Sequence, residues 1–318
     1  HTRLVRDWSS DVCSSDRKHE AIGRMYGARH GLEGLLTNDL IDLTQETPET
    51  LERVARTPSA ALGSVRKKAS EEDCKKLINV FKENDIRYFF YIGGNDTAET
   101  ANIVDQLARG EDYEFRVCHI PKTIDNDLRE TDHCPGYGSA ARFVALALMG
   151  DNLDNTALKG VKIDVIMGRH AGFLTGAAAL ARQNETDGPH LIYLPEVAFD
   201  ENRFADDVAG CLDRLGRCVI AVSEGITRED GSPVYTSGEK DSHGNVQLSG
   251  TGALGDYLSG IVKEKIPAAS RVRADTLGYM QRCFPSIRSE VDASEPRAAG
   301  ASALRSLVDR TSTTPHSS

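Results

Sequence analysis

The residues with the clearest chemical potential form a short polar run, Lys122-Thr123-Ile124-Asp125-Asn126-Asp127, which follows an apolar run from Phe115 to Ile120. Pro121 separates the two runs, because proline has no N–H to give to a sheet. Two carboxylates this close raise each other's pKa unless a cation or a hydrogen-bond donor compensates them. Such a cluster suits a metal ion, a phosphate-bearing substrate or a proton transfer. Taken alone it also suits a solvated turn, since Asp and Asn favour turns.

Four other apolar runs also end in polar or glycine-rich segments. The residues at these ends are Asn95 and Asp96, Gly168 and Arg169, Glu196, and Glu224. Open parallel sheets bind ligands outside the carboxyl ends of their strands, so we expect all five ends at one edge of one sheet. Glycines there admit a phosphate to the main-chain N–H groups, cations neutralise it, and carboxylates hold Mg²⁺ or accept a proton. The combination predicts phosphoryl transfer, although the sequence contains neither a P-loop nor Gly-x-Gly-x-x-Gly.

The elements that must position these residues alternate regularly from residue 71 onward. Apolar periodicity predicts a helix over 71–84, and a helix over 18–29 is suggested by Ile22 and Met25. Apolar runs with no period-2 alternation predict buried strands that are parallel and covered by helices on both faces. The predicted strands span 86–92, 115–120, 162–167, 190–194 and 218–222. Of the helices after them, two run to 109 and to 183 from the loops that follow their strands, and the others span 139–153, 201–215 and 252–265. The fold class is therefore α/β with doubly wound parallel sheets.

Composition excludes several classes of function. The formal net charge of −10 argues against a general nucleic-acid or anionic-membrane partner. No apolar run approaches the ~18 residues of a membrane span. The seven cysteines show no Cys-x-x-Cys pair and no zinc-site spacing, so reduced thiols in a cytoplasmic protein are expected.

Residues 1–16 show no period and no core face. They resemble translated sequencing-adapter sequence, and we expect a foreign, disordered segment here. Residues 17–308 are expected to form the functional domain, with 309–318 as a frayed tail.

Six motifs, taken in order, resemble the 6-phosphofructokinase family. They are Gly-Gly-Asn-Asp-Thr, Pro-Lys-Thr-Ile-Asp-Asn-Asp, Met-Gly-Arg-His-Ala-Gly, Pro-Glu, Ser-Glu-Gly and Leu-Gly-Tyr-Met-Gln-Arg. The resemblance covers roughly residues 20–308 and is closest to the pyrophosphate-dependent subgroup. It implies a two-lobed α/β architecture and reversible transfer of a phosphoryl group from pyrophosphate to the 1-hydroxyl of fructose 6-phosphate.

The resemblance also implies roles for individual residues. Asp125 would accept the proton of the sugar 1-hydroxyl, and Lys122 and Asp96 would complete the catalytic set. Arginines suit the bidentate binding of the 6-phosphate, and some of them would come from a neighbouring subunit, which implies a homo-oligomer. The implied sugar-phosphate residues are Thr123, Ile124, Asp125, Met167, Gly168, Arg169, Glu224, Arg273, Tyr279 and Arg282.

The resemblance also implies which residues bind the phosphoryl donor. Asp96 and Lys122 stand where ATP-using relatives tend to have glycine, which favours pyrophosphate as the donor. Mg²⁺ would be held by Asn95 and Asp127, although an Asn oxygen is a weaker ligand for a hard cation than the Asp usual in the family. The implied donor-binding residues are Gly94, Asp96, Thr97, Arg66 and Lys122.

The family opens with a strand and a glycine loop that cradles the donor phosphates. That segment looks absent here, so we expect a gene fragment that is poorly stable and inactive or nearly so. Three alternatives stay open: an ATP-dependent enzyme, a non-catalytic paralogue, and a sugar-phosphate-binding module without chemistry.

Overall fold

The structure is a computed structural model, and it describes residues 2–6, 22–65, 67–111, 113–235 and 252–309; for 2–6, 95, 96 and 309 it describes the main chain only. The chain forms two compact units, one from His1–Thr123 with Glu290–Ser318 and the other from Ile124–Ser289. No helix in the described part of the chain is both long and apolar enough to cross a bilayer.

The first unit is built on a five-stranded sheet in the order β3-β2-β1-β4-β5. Its strands are β1 (Thr2–Arg6), β2 (Ile22–Ala28), β3 (Leu40–Asp42), β4 (Ile86–Gly93) and β5 (Arg116–Pro121). All neighbours pair in parallel except β2 and β3, which are antiparallel. The helices are α1 (Leu32–Leu36), α2 (Pro48–Ala55), α3 (Glu71–Glu83), α4 (Asn95–Gly110) and α9 (Glu290–Asp309).

Strand β4 shows why this sheet is covered on both faces. Phe89 and Tyr91 pack with residues of α1, α3 and α4, whereas Phe90 and Ile92 pack with residues of α2 and α9 on the other face. Successive side chains of a strand point to opposite faces, so an unbroken apolar run needs two cores. Helix α3 begins at a capping box in which Ser70 and Asp73 exchange side-chain and main-chain hydrogen bonds.

The second unit holds a four-stranded parallel sheet in the order β7-β8-β6-β9. Its strands are β6 (Gly160–Ile166), β7 (Leu191–Tyr193), β8 (Arg217–Ser223) and β9 (Val272–Thr276). Its helices are α5 (Tyr137–Leu158), α6 (Phe173–Ala177), α7 (Glu201–Leu215) and α8 (Ala253–Lys265), with short 3-10 helices at Ala178–Ala181 and Gly278–Arg282. The expected α/β class with helices on both faces of parallel sheets is confirmed.

One expectation about the strand ends is wrong. The five polar ends do not meet at one edge of one sheet, because β4 and β5 belong to the first sheet and β6, β7 and β8 to the second. A strand–helix alternation along the chain is the same whether successive strands join one sheet or start another. The sequence pattern therefore does not predict where the first sheet ends and the second begins.

Three local expectations are also corrected. The suggested helix over 18–29 is wrong for residues 22–28, which form β2; Ile22 and Met25 fit either a helix or a buried strand, and the glycines at 23 and 27 disfavour a helix. Sequence periodicity does not predict helix α9, which packs Leu304 and Val308 into the core, because Pro296 lies inside it. It ends at Asp309, where the tail was expected to begin; residues 310–318 lie outside the described residues.

The expected disorder of residues 1–16 is wrong for residues 2–6. They form β1 and pair in parallel with β2 on one side and β4 on the other. Pairing uses main-chain groups, so any extended segment can fill a gap between two strands, and Thr and Val favour that conformation. The central position of the first sheet is therefore occupied; residues 7–21, including the place where the family's glycine loop would follow, lie outside the described residues.

Replacing Leu4 by proline tests this pairing. Proline in a central strand removes a ladder hydrogen bond and leaves its acceptor unpaired, so we expect Leu4→Pro to lower the free energy of unfolding by about 1–3 kcal/mol. Leu4→Val, which keeps the N–H and suits a strand, is the matched control. Thermal melts of the two variants and the parent should show a clear drop for the proline variant alone. Identical melting of all three would mean that residues 2–6 do not pair with β2 and β4.

Candidate active site

The acidic loop after β5 is fixed by the residue between its two carboxylates. Asn126 is buried and has a left-handed φ of +56°. Its side-chain oxygen accepts a hydrogen bond from the Cys134 N–H at 2.7 Å, and its side-chain nitrogen donates to the Asp132 carbonyl at 3.2 Å. Asp125 is partly buried, whereas Asp127 is exposed. The two carboxylates therefore lie in different dielectric surroundings although they are two residues apart.

This difference raises the pKa of Asp125 above its ordinary value. Burial is the largest cause, and the negative charge of Asp127 adds to it. The positive charges of Arg169, His170 and Arg282 act in the opposite direction. A carboxylate that is costly to ionise and yet faces cations is suited to taking up a proton.

The segment Met167–Arg169, which follows β6, is held on one side by the end of β8. The hydroxyl of the buried Ser223 donates to the Gly168 carbonyl at 2.5 Å. The Glu224 N–H donates to the Ile166 carbonyl at 2.8 Å, which extends the parallel ladder past the last strand residue. Gly168 has φ +141°, a conformation that favours glycine, and a Cβ on Gly225 would overlap the Arg169 carbonyl. Gly168 and Gly225 are thus required by close packing of main chain on main chain.

On its other side the same segment meets the chain that follows β9. The Leu277 N–H donates to the Val165 carbonyl at 3.0 Å, and the Met167 N–H donates to the side-chain oxygen of Gln281 at 3.3 Å. Gln281 lies in the 3-10 helix Gly278–Arg282. In that helix the Arg282 guanidinium carbon lies 4.4 Å from the centre of the Tyr279 ring, a cation–π contact on the exposed side.

The structure thus brings four predicted substrate residues of the second unit to connected strand ends: Met167, Gly168, Arg169 and Glu224. Glu224 is buried, and Tyr279 and Arg282 follow on the next loop. Arg273 lies further back, within β9, where it is exposed and its guanidinium donates to the Val272 carbonyl at 2.9 Å. Within this chain Arg273 is therefore separated along β9 from the residues that follow the strand.

Glu196, at the end of β7, has a structural role. Its carboxylate accepts a hydrogen bond from the Gly172 N–H at 2.6 Å and so ties the loop after β6 to the end of β7. A side chain added at Gly172 would come within 2.6 Å of the second carboxylate oxygen of Glu196. This strand-end carboxylate is accounted for by a main-chain contact.

The predicted donor residues of the first unit lie at the ends of β4 and β5. The Lys122 N–H donates to the Gly93 carbonyl at 3.0 Å, and a ring nitrogen of His119 lies 2.9 Å from the same oxygen. Burial lowers the pKa of His119, while its hydrogen bonds to the main chain of Gly93 and Gly94 act in the opposite direction. Gly94 precedes α4 and has no heavy atom within 4 Å of where a Cβ would stand.

The structure describes the other predicted donor residues to different extents. Thr97 lies in the first turn of α4, where it fills the space beside Gly93. Lys122 is exposed, and Thr123 and Ile124 are partly exposed and lie where one unit ends and the other begins. Arg66 and the side chains of Asn95 and Asp96 lie outside the described residues.

Sequence reasoning missed three residues that hold the site together: Asn126, Ser223 and Gln281. Each stands inside one of the six motifs, beside residues whose charge or chemistry gives the stronger signal. The usable signal is a neutral polar residue between residues proposed to bind ligand, since a buried amide or hydroxyl must find partners. Which partners it finds depends on contacts 8, 55 and 114 residues away along the chain.

Together, the strand-end loops, the cations and the carboxylate with a raised pKa define an α/β protein of the phosphotransferase class. The chain belongs to the phosphofructokinase family, whose model matches residues 12–303. The family expected from the six motifs is thereby confirmed.

Individual relatives agree with this assignment. The chain is 54% identical over 308 residues to the pyrophosphate–fructose 6-phosphate 1-phosphotransferase of Rhodospirillum rubrum, covering 96% of this chain and 76% of that protein. It resembles the crystal structure of the pyrophosphate-dependent phosphofructokinase of Marinobacter aquaeolei with a TM-score of 0.84 at 32% identity, covering 97% and 76% of the two chains. The phosphofructokinase of Saccharomyces cerevisiae shares the fold, with a TM-score of 0.74 at 17% identity over 100% of this chain and 42% of that one.

The contact of Gly225 with Arg169 yields a prediction with a matched control in the same unit. Gly225→Ala forces its new methyl group into a main-chain oxygen, so we expect a loss of about 1–3 kcal/mol in the free energy of unfolding. Gly150→Ala lies on the exposed side of α5 with open space around the new group, and it should be neutral or stabilise by about 0.5–1 kcal/mol. Denaturant unfolding of both variants measures the difference. Equal stability of the two would contradict the tight packing of the Ser223–Gly225 loop on Arg169.

Proposed function

We infer that this chain transfers a phosphoryl group from pyrophosphate to the 1-hydroxyl of fructose 6-phosphate, giving fructose 1,6-bisphosphate and phosphate in a reversible reaction. The observation that carries this inference is the 54% identity, over nearly the whole chain, to a protein named for that activity. The raised pKa of the Asp125 carboxylate, which lies near cations in the second unit, also supports it, because such a group can accept the hydroxyl proton.

The proton transfer falls to Asp125. As the sugar oxygen attacks the nearer phosphorus of pyrophosphate, its proton passes to the Asp125 carboxylate, and the bond to the bridging oxygen breaks to release phosphate. In the reverse direction the protonated Asp125 returns the proton to the sugar oxygen. A general base works best when its pKa is close to the working pH, which is higher than the pKa of an ordinary carboxyl group. Burial raises the pKa of Asp125 and so brings it closer to that pH.

The remaining substrate residues bind and orient. We propose that Arg282 and Tyr279 hold the 6-phosphate, since their stacked side chains present an oriented guanidinium to an anion. Met167, Gly168 and Arg169 would line the sugar, and Glu224 would accept hydrogen bonds from its hydroxyls, with Thr123 and Ile124 beside the reacting end. Arg273 is exposed within β9, which supports a role toward a second copy of the chain. A homo-oligomer is therefore part of the proposal, and a cytoplasmic location stays a prediction of the resemblance.

Mg²⁺ is the cofactor we propose, because carboxylate and amide oxygens are the ligands that it accepts. Asp127 is an exposed carboxylate two residues from the base, and Asn95 stands at the start of α4, where its amide would supply an oxygen. These two residues would hold the ion, which when bound neutralises charge on the transferring phosphoryl group.

The donor preference is assigned to Asp96 and Lys122, with Gly94, Thr97 and Arg66 around the phosphates. A carboxylate at position 96 repels a further phosphate by about 4 kcal/mol at 4 Å and an effective dielectric of 20, which disfavours ATP. The cation of Lys122 balances the charge of pyrophosphate. The start of α4 has no side-chain cap hydrogen bond, so its main-chain N–H groups would add favourable contacts for an anion.

A coupled assay on the full chain tests the donor. Fructose 6-phosphate turnover is measured with pyrophosphate and with ATP for the parent, for Asp96→Gly, for Lys122→Gly and for the double variant. We expect the parent to prefer pyrophosphate and the double variant to lose that preference and gain some use of ATP. Equal use of both donors by the parent would reject the assignment, and binding of fructose 6-phosphate with no turnover from either donor would favour the non-catalytic alternatives.

Asp125→Asn tests the base. Loss of general-base help should lower turnover by ~10²–10⁴-fold, with a much smaller effect on the KM for fructose 6-phosphate. Unchanged turnover would remove Asp125 from this role.

The same variant should gain stability at neutral pH. The folded protein raises the pKa of Asp125, so this group contributes stability below its unfolded pKa, and the contribution is lost as the pH rises through the folded pKa. Asparagine carries no charge at any pH, so the melting temperature of Asp125→Asn should exceed that of the parent at pH 8, and the gap should shrink as the pH falls toward 4. A gap that is constant with pH would contradict the raised pKa, and a variant that stays folded and inactive separates catalysis from folding.

A further inference from the structure

Gln281 stands between two proposed substrate groups without belonging to either. It is 3% exposed, whereas its neighbours Tyr279 and Arg282 in the same 3-10 helix are exposed. Residues three apart in a 3-10 helix lie on the same side, which brings the Arg282 guanidinium over the Tyr279 ring. Gln281 therefore points inward while the two proposed phosphate-binding side chains point outward.

Both ends of the Gln281 amide are used. Its oxygen accepts the Met167 N–H at 3.3 Å, and its nitrogen donates to the Gly278 carbonyl at 2.9 Å. The first bond reaches the segment that follows β6, and the second closes the start of the 3-10 helix. One amide thus fixes both Met167 and Gly278, which lie 111 residues apart in the sequence.

The sheet explains why a side chain is needed here. The β6–β9 ladder runs up to the pair Val165–Thr276, and the Leu277 N–H still bonds the Val165 carbonyl. In a continuing parallel ladder the Met167 N–H would next bond the main chain of the neighbouring strand. That chain turns away at Gly278, which has φ +55°, and the Gln281 side-chain carbonyl takes the place of the missing main-chain acceptor.

We propose that Gln281 is a positioning residue that sets the distance between the part of the site that lines the sugar, Met167–Arg169, and the part that holds the 6-phosphate, Tyr279 and Arg282. The proposal rests on the proposed function for the identity of the sugar phosphate. Gln281 itself does not touch the substrate. It acts through the two segments that its amide joins, and an error of about 1 Å between such segments is enough to cost roughly 100-fold in a positioned reaction.

Two substitutions separate this role from simple core packing. Gln281→Met keeps the length and volume of the side chain but removes both hydrogen bonds. Gln281→Asn keeps the amide but is one methylene too short to reach both partners. Gln183→Met, at an exposed position of the same unit, is the matched control.

The experiment measures KM for fructose 6-phosphate, KM for pyrophosphate and kcat for the full-length parent and each variant. Melting temperatures are recorded with and without saturating fructose 6-phosphate. We expect both Gln281 variants to raise the KM for the sugar phosphate by roughly 10- to 100-fold, to leave the KM for pyrophosphate within about twofold, and to reduce the shift in melting temperature that the sugar phosphate produces. Gln183→Met should match the parent throughout.

Two results would overturn the proposal. In the first, the folded Gln281 variants keep the parent's KM and thermal shift for fructose 6-phosphate. In the second, both KM values rise together with a general loss of melting temperature, which indicates a structural role alone. A parent that gives no turnover defeats the proposed function but leaves the thermal shift to decide on Gln281, so the two failures can be told apart.

Discussion

Main-chain groups at the end of a parallel sheet have to be paired where the ladder stops, and this constraint shapes the second unit. At the end of β6 the carbonyl groups of Val165, Ile166 and Gly168 and the N–H of Met167 find partners on both sides, at the end of β8 and in the chain after β9. Two of these partners are side chains, Ser223 and Gln281. Since an unpaired buried main-chain group costs free energy comparable to a lost hydrogen bond, the loops cannot move independently. The proposed sugar residues owe their relative positions to that pairing.

In the acidic loop after β5, burial destabilises a charged group instead of satisfying main-chain groups. Asn126 occupies a left-handed conformation, and its side-chain amide forms hydrogen bonds with the Cys134 N–H and the Asp132 carbonyl. This holds Asp125 in partly buried surroundings, where its negative charge is poorly solvated. The unfavourable state is stabilised only in part by nearby cations, so the carboxylate retains a tendency to bind a proton. A site that transfers a proton benefits from this imbalance, although the fold as a whole is less stable for it.

The first unit illustrates how little of a strand's place depends on its side chains. Residues 2–6 lack the features by which buried strands are usually recognised, yet they pair with β2 and β4. Hydrogen bonds between strands join main-chain atoms, and the free edges of two neighbouring strands favour any extended segment that can satisfy them. Periodicity therefore predicts well the strands that carry apolar side chains, such as β4 and β8, and poorly one whose place depends on the strands beside it.

The sequence by itself determined the class and the chemistry. Continuous apolar strands alternating with helices are enough to specify parallel sheets covered on both faces, and the order of six short motifs is enough to specify the family. These properties are local, because each depends on the types and spacing of residues within one short segment. Tertiary structure alone decided which strands share a sheet and that residues 22–28 form a strand. It also decided that α9 packs against the sheet of the first unit, and that Asn126, Ser223 and Gln281 join the candidate site. Each of these depends on which residues pair in the folded chain, from 8 residues away for Asn126 to 114 for Gln281, and no local pattern of a single sequence identifies those partners.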